Sequence, residues 1–232
     1  MRSTSRVLLA AVSGLALATL LAGCFPSSPA APPPTAPAAS EPSDDETVDQ
    51  EETTTASGDT PAWAKPTTTP GEKIATIAAD GFQVEVYQVG VTEATKTGQF
   101  VTPDGDPVIA AGDDIVFVNY VITNTSGGDI PLSYSLVNVQ ATYASWPYLQ
   151  GMDSVVDSAL FEQMQVNSSA IAPGSGDSPF IWPAGTSFSF GQNFHYEKNG
   201  PITFEATLTP ALPSGDLDHD KRQEAEADGV IA

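Results

Sequence analysis

The clearest hydrophobic pattern lies between residues 186 and 209. Thr186, Phe188, Phe190, Gln192, Phe194 and Tyr196 alternate with Ser187, Ser189, Gly191, Asn193 and His195. That is period two, with one largely apolar face and one polar face. Ile202, Phe204, Ala206 and Leu208 alternate with Thr203, Glu205, Thr207 and Thr209 in the same way. Both segments read as strands. Joining them as a hairpin with matched faces demands an odd loop, Lys198-Asn199-Gly200, with Gly200 in the left-handed conformation. This register pairs Tyr196 with Ile202 and Phe194 with Phe204, and sets His195 opposite Thr203.

Other runs are less regular. Phe82 to Val86 alternates, and Ile115 to Thr123 is apolar on nearly both faces, as expected of a central strand. Leu132 to Tyr143 changes phase near Leu136-Val137, which predicts a bulge. Gly, Pro, Asn and Asp clusters such as Pro103-Asp104-Gly105-Asp106-Pro107 separate the runs. One helical stretch intervenes, with Asp153 as its expected cap and Val156, Leu160, Phe161 and Met164 near helical spacing. Many strands with one short helix predict an all-β domain, a β-sandwich.

Residues 74–213 hold 17 of the 19 aromatics, and this is the expected domain. Residues 25–73 hold ten of the 20 prolines and only two aromatics, Phe25 and Trp63. A Pro/Ala run from Pro29 to Pro37, an acidic run from Asp44 to Glu52 and two Thr triplets complete that segment. Its composition cannot bury enough apolar surface to offset chain entropy, so residues 24–73 are expected to form a disordered linker. Residues 214–232 read as an acidic flexible tail.

Charge narrows the chemistry. The 232 residues carry 8 Lys+Arg against 29 Asp+Glu, a net charge of −21, which opposes binding to nucleic acid. One Cys and two His exclude a disulfide framework and make a His/Cys metal site improbable. Asp216, Asp218 and Asp220 have the spacing that opens an EF-hand loop, but Lys221 and Ala227 occupy the positions that need Gly and Glu. No metal or cofactor is expected. There is no Gly-x-Ser-x-Gly elbow, His195 sits on a polar strand face, and nothing places Glu197 and Glu205 across a cleft. The expectation is no catalytic residue and no enzyme. Trp146-Pro147-Tyr148 and Trp182-Pro183 lie in connections. Trp146, Tyr148 and Trp182 are therefore candidate ligand-binding rings, able to stack on a sugar or anchor a partner, or else to plug the sandwich ends.

The N-terminus reads as an address. Arg2 and Arg6 precede an apolar stretch from Val7 to Leu20, which fits a signal peptide over residues 1–23. Leu21-Ala22-Gly23-Cys24 resembles the bacterial lipobox. That resemblance implies cleavage before Cys24, acylation of its thiol with palmitate-type chains, and a membrane partner reached through the lipid on Cys24. The protein would sit on the outer face of the cytoplasmic membrane.

A second resemblance runs from Ala111-Gly112-Asp113-Asp114 through Ile115–Thr123 to Asn124-Thr125-Ser126, with a later Pro183-Ala184-Gly185. These segments look like the immunoglobulin-like domains of bacterial surface lipoproteins, similar to the small secreted mycobacterial immunogenic protein family. The resemblance implies an immunoglobulin-like β-sandwich and no catalytic residues. The expected role is non-catalytic binding or structural interaction at the cell envelope, with an envelope protein as partner. The alternatives are a cell-wall or glycan-binding module using the loop aromatics and, less favoured, an envelope enzyme.

Overall fold

The computed structural model describes residues 59–148 and 151–232. The expected signal peptide, Cys24 and the linker as far as residue 58 lie outside the described residues. In chain order the strands are β1 (Glu72–Ala78), β2 (Phe82–Glu93), β3 (Asp114–Asn124) and β4 (Ile130–Tyr143). A six-residue helix, α1 (Ser158–Gln163), precedes β5 (Phe180–Trp182), β6 (Ser187–His195), β7 (Gly200–Pro210) and β8 (Gln223–Ile231).

The strands form two four-stranded antiparallel sheets, ordered β1-β2-β3-β6 and β5-β4-β7-β8. The chain changes sheet between β3 and β4, between β5 and β6, and again between β6 and β7. Strand β3 therefore pairs with β6 in one sheet while β4 pairs with β7 in the other. That is the Greek-key connection of an immunoglobulin-like sandwich. Val116, Val118, Tyr120 and Ile122 of β3 face Val139, Phe204, Ala206 and Leu208 across the main core.

A smaller apolar cluster lies on the opposite face of β3. Ile115 and Phe117 are covered there by Ile109, Val155, Leu160 and Val166. This explains why β3 is apolar on both faces: it is buried on both. The predicted bulge in β4 is present as a register shift between Leu132 and Val137, with Leu136 at φ 49°.

Five expectations are corrected. Strands β6 and β7 do not form a hairpin: His195 lies opposite Ile115 of β3, and Thr203 lies opposite Thr142 and Asp228. Period two fixes which face a residue takes, not which strand it neighbours. Phe194 and Phe204 both reach the core, but from different sheets. The left-handed residue in the crossing is Asn199, at φ 57°. Gly200 is needed for space, because a Cβ there would come within 2.8 Å of the Glu197 carbonyl and 2.9 Å of the Tyr143 ring. Tyr143 fastens the crossing by donating its hydroxyl to His195 O at 3.0 Å and accepting from Glu197 N at 3.3 Å.

Residues 214–232 are not a tail, since β8 completes the second sheet. Glu224, Glu226, Asp228 and Val230 point to solvent; Ala225, Ala227, Gly229 and Ile231 are more buried. The inward residues are small because the Phe204 ring and the Ile74 carbonyl press against Gly229.

The fold also begins earlier than residue 74. Trp63 is 7% exposed, packs on Phe180 and Phe188 at 5.4 and 5.3 Å, and donates its indole N–H to Ile181 O at 2.7 Å. Finally, the helix cap is Asp157, whose carboxylate accepts from Ala159 N at 3.0 Å. Asp153 is buried instead and accepts from the backbone N–H groups of Gln99, Phe100 and Ser154.

Candidate functional site

Strand β6 is an edge strand, and its outward polar residues anchor the segments that cover it. Asn193 accepts from Val155 N at 2.8 Å and donates to Val155 O at 2.9 Å, so its carboxamide acts as one residue of a missing strand. Gly191 N donates to Asn167 O at 2.8 Å, and a Cβ on Gly191 would strike Val166 at 2.7 Å. These contacts hold residues 151–168 as an arm along β6.

Between that arm and β4 lies a cleft of about 300 Å³. Its β4 wall runs from Asn138 to Ala141, and its β6 wall from Gly191 to Phe194. Met152, Val156 and Phe161 supply apolar surface, and Ser154 and Ser168 supply hydroxyls. Gln192 spans the opening. The Tyr120 hydroxyl donates to its Oε1 at 2.9 Å, and its Nε2 reaches Val139 O at 3.4 Å. Burial pushes the Tyr120 phenol well above its ordinary pKa, so it stays protonated and keeps the Gln192 amide oriented.

Among the described residues that line this cleft, none is titratable. In a chain of net charge −21 the cleft is a neutral surface of amides, hydroxyls and apolar side chains. Such a surface can donate and accept hydrogen bonds and bury apolar groups. Among the described residues no three His, Cys, Asp or Glu side chains converge as a metal site.

The three candidate rings separate. Trp182 is fully buried, packs on Phe188 at 5.2 Å and donates to Thr186 O at 3.1 Å, so it is a core residue and not a ligand-binding ring. Its period-two position in β5 puts it inward. Trp146 and Tyr148 remain partly exposed after β4 and meet edge-on at 5.2 Å. Beside them Ser145 donates to Glu197 at 2.7 Å. His195 is exposed on the outer face of β6, as the strand's phase predicts. Cys24 lies outside the described residues. The cleft itself escaped sequence reasoning because its walls come from two strands and an arm far apart in sequence. The available signal was Val137-Asn138-Val139-Gln140-Ala141-Thr142-Tyr143, a strand without a single charge or proline.

No protein-family model matches the chain, and no curated protein matches it. Two solved structures align with it. A functionally unknown protein from Listeria monocytogenes EGD-e has a TM-score of 0.37 and 11% identity, over 70% of this chain and 83% of that one. A "putative lipoprotein" from Bacillus subtilis has a TM-score of 0.32 and 15% identity, over 69% of this chain. The aligned region spans only 39% of the Bacillus protein. At these TM-scores neither alignment bears on fold or function. The fold stands on the strand order described above.

Proposed function

We propose that this is a lipid-anchored protein of the outer face of the cytoplasmic membrane, which displays an immunoglobulin-like sandwich for non-catalytic binding at the cell envelope. The observation that carries the binding half is the neutral cleft between β4 and the 151–168 arm, lined by amides and apolar groups without a titratable side chain. Binding sites are concave and mostly apolar, with a few placed polar groups. The anchoring half rests on Leu21-Ala22-Gly23-Cys24 after the apolar stretch. Several acyl chains at about 0.8 kcal/mol per buried CH₂ hold a protein on a membrane durably.

The test joins fractionation to mass spectrometry. Wild-type protein should partition with membranes and carry acyl mass on Cys24, whereas Cys24→Ala should appear in the soluble fraction. An unmodified Cys24 in mature protein would remove the anchor from the proposal. A second reading, a wall-glycan module, is favoured by the partly exposed Trp146–Tyr148 pair, next to Ser145 and its partner Glu197. Quenching of Trp fluorescence by wall fragments, lost in Trp146→Ala, would support it.

A further inference from the structure

We infer that the cleft takes an uncharged, extended peptide segment, which adds to the free edge of β4 as a further strand. The inference rests on the binding reading above and names its partner class.

Main-chain geometry leaves one side of β4 unpaired past Leu132 among the described residues. Ala144 N donates to Pro201 O, which makes that pair and its alternate neighbours the bonded pairs of the β4–β7 ladder. Thr142, Gln140 and Asn138 thus spend their backbone groups on β7. The N–H and C=O groups of Val137, Val139 and Ala141 point the other way. Strand β5 pairs with β4 only from Ile130 to Leu132, so among the described residues no strand lies beside this stretch. The Gln192 side chain reaching Val139 O at 3.4 Å is a long and single contact where a strand would make several.

This edge also lacks the devices that blunt the others. An exposed edge is normally protected by charge, proline or a covering segment. Strand β8 presents Glu224, Glu226 and Asp228, while β1 carries Glu72 and Lys73 and lies against β8. The β6 edge is covered by the arm. From Val137 to Tyr143 there is no charge, no proline and no glycine.

The occupant follows from charge and shape. A cleft without ionised groups in an acidic protein gives charged side chains no partner and leaves them to be desolvated. A second copy of the chain would bring its own net charge of −21 against the first. An extended peptide meets neither penalty. Its backbone supplies the missing hydrogen bonds, and alternate side chains enter the space bounded by Met152 and Phe161. Val137 to Tyr143 spans about 20 Å at roughly 3.4 Å per residue, which fits a peptide of about six or seven residues.

The probe is a display library of capped heptapeptides randomised over uncharged residues, panned against the full chain. Enrichment of alternating apolar and polar sequences is expected, with at least tenfold weaker binding to Ala141→Pro. That substitution deletes an N–H on the open side and leaves the β7 ladder its bonds. Because Ala141→Pro could unfold, Val156→Trp serves beside it. Val156 is 66% exposed at the cleft, so a larger ring blocks the opening without entering the core. An enriched peptide should also protect the Val139 and Ala141 amides from hydrogen exchange. Failure to enrich any peptide, equal binding by Val156→Trp, or protection confined to β1 or β8 would overturn strand addition. So would dimerisation through β4 in sedimentation. A wall-glycan fragment that shifts the Val139 and Ala141 amides while no peptide enriches would leave a binding module standing and remove the peptide.

Discussion

The two sheets use the same kind of sequence for different ends. Both place apolar residues inward and, apart from Ile115 and Phe117 of β3, mostly polar residues outward. In the sheet containing β4, β7 and β8 the outward residues meet water: Gln140, Glu205 and Glu226 form one exposed row. On β3 and β6 of the other sheet, three outward polar residues meet protein instead. Asn119 donates to Thr68 O at 2.6 Å, Ser189 accepts from Thr68 N at 2.9 Å, and Asn193 holds Val155. A polar residue on a strand can therefore be a solvated surface or a buried fastener. The second kind carries an energetic asymmetry, because removing it strands buried partners at a cost of about 1–3 kcal/mol.

The largest expected effect breaks the exposed sheet from its edge. Ending the chain at residue 214 removes β8 and uncovers Phe204 and Ala206 beside it. The truncated protein should lose its cooperative thermal transition. A preserved transition would return residues 214–232 to the status of a tail. Next comes the cover of the other sheet. Trp63→Ala deletes a ring packed between Phe180 and Phe188, and such truncations cost about 3–5 kcal/mol. Urea unfolding measures this directly. A change under about 0.5 kcal/mol would show that residues 59–69 belong to the linker after all.

A pair of amides separates the two outer faces. Asn193→Ala leaves the buried N–H and C=O of Val155 without partners and should destabilise by about 1–3 kcal/mol. Gln140→Ala, on the open face, should stay within about ±0.5 kcal/mol. Unfolding midpoints of the two variants decide the matter. Equal losses would mean that the outer faces of both sheets are solvated alike.

The same pair explains what the sequence could and could not convey. Alternation placed Phe188, Phe194, Phe204 and Leu208 inward correctly, since burial of one face has a period. It could not tell the hairpin from the crossing, because side-by-side and face-to-face strands give the same alternation. It could not separate Asn193 from Gln140, because what covers a face comes from elsewhere in the chain. Trp63 had a signal in being the one aromatic between Phe25 and Phe82, but the prolines and threonines around it masked that signal. In β8 the period was present in Glu224-Ala225-Glu226-Ala227-Asp228 and was obscured by small inward residues. Of the candidate site, Trp146, Tyr148 and Trp182 were legible as rings in connections, able to bind or to plug the sandwich ends; only the pairing of β5 with β4 assigns Trp182 to the core.

The smallest expected effect concerns how the cover starts its helix. Asp157 accepts from Thr95 Oγ1 at 2.6 Å and from Ala159 N at 3.0 Å, with Lys96 at 4.0 Å. The Thr95 hydroxyl first, and the Ala159 N–H after it, hold its carboxyl below the ordinary value of 3.8. A carboxylate whose folded pKa is depressed stabilises the fold above its unfolded pKa and loses that contribution as pH falls through the folded value. Acidification below about pH 4 should therefore loosen the arm before it affects the exposed sheet. Hydrogen exchange at Leu160 and Val166, compared with Ala206, reads the difference. Asp157→Asn keeps an N-cap acceptor, so it should retain α1 at neutral pH while removing this part of the acid dependence. Asp157→Ala should fray α1 at every pH. If all three proteins lose protection at Leu160 along the same pH curve, Asp157 does not govern the cover.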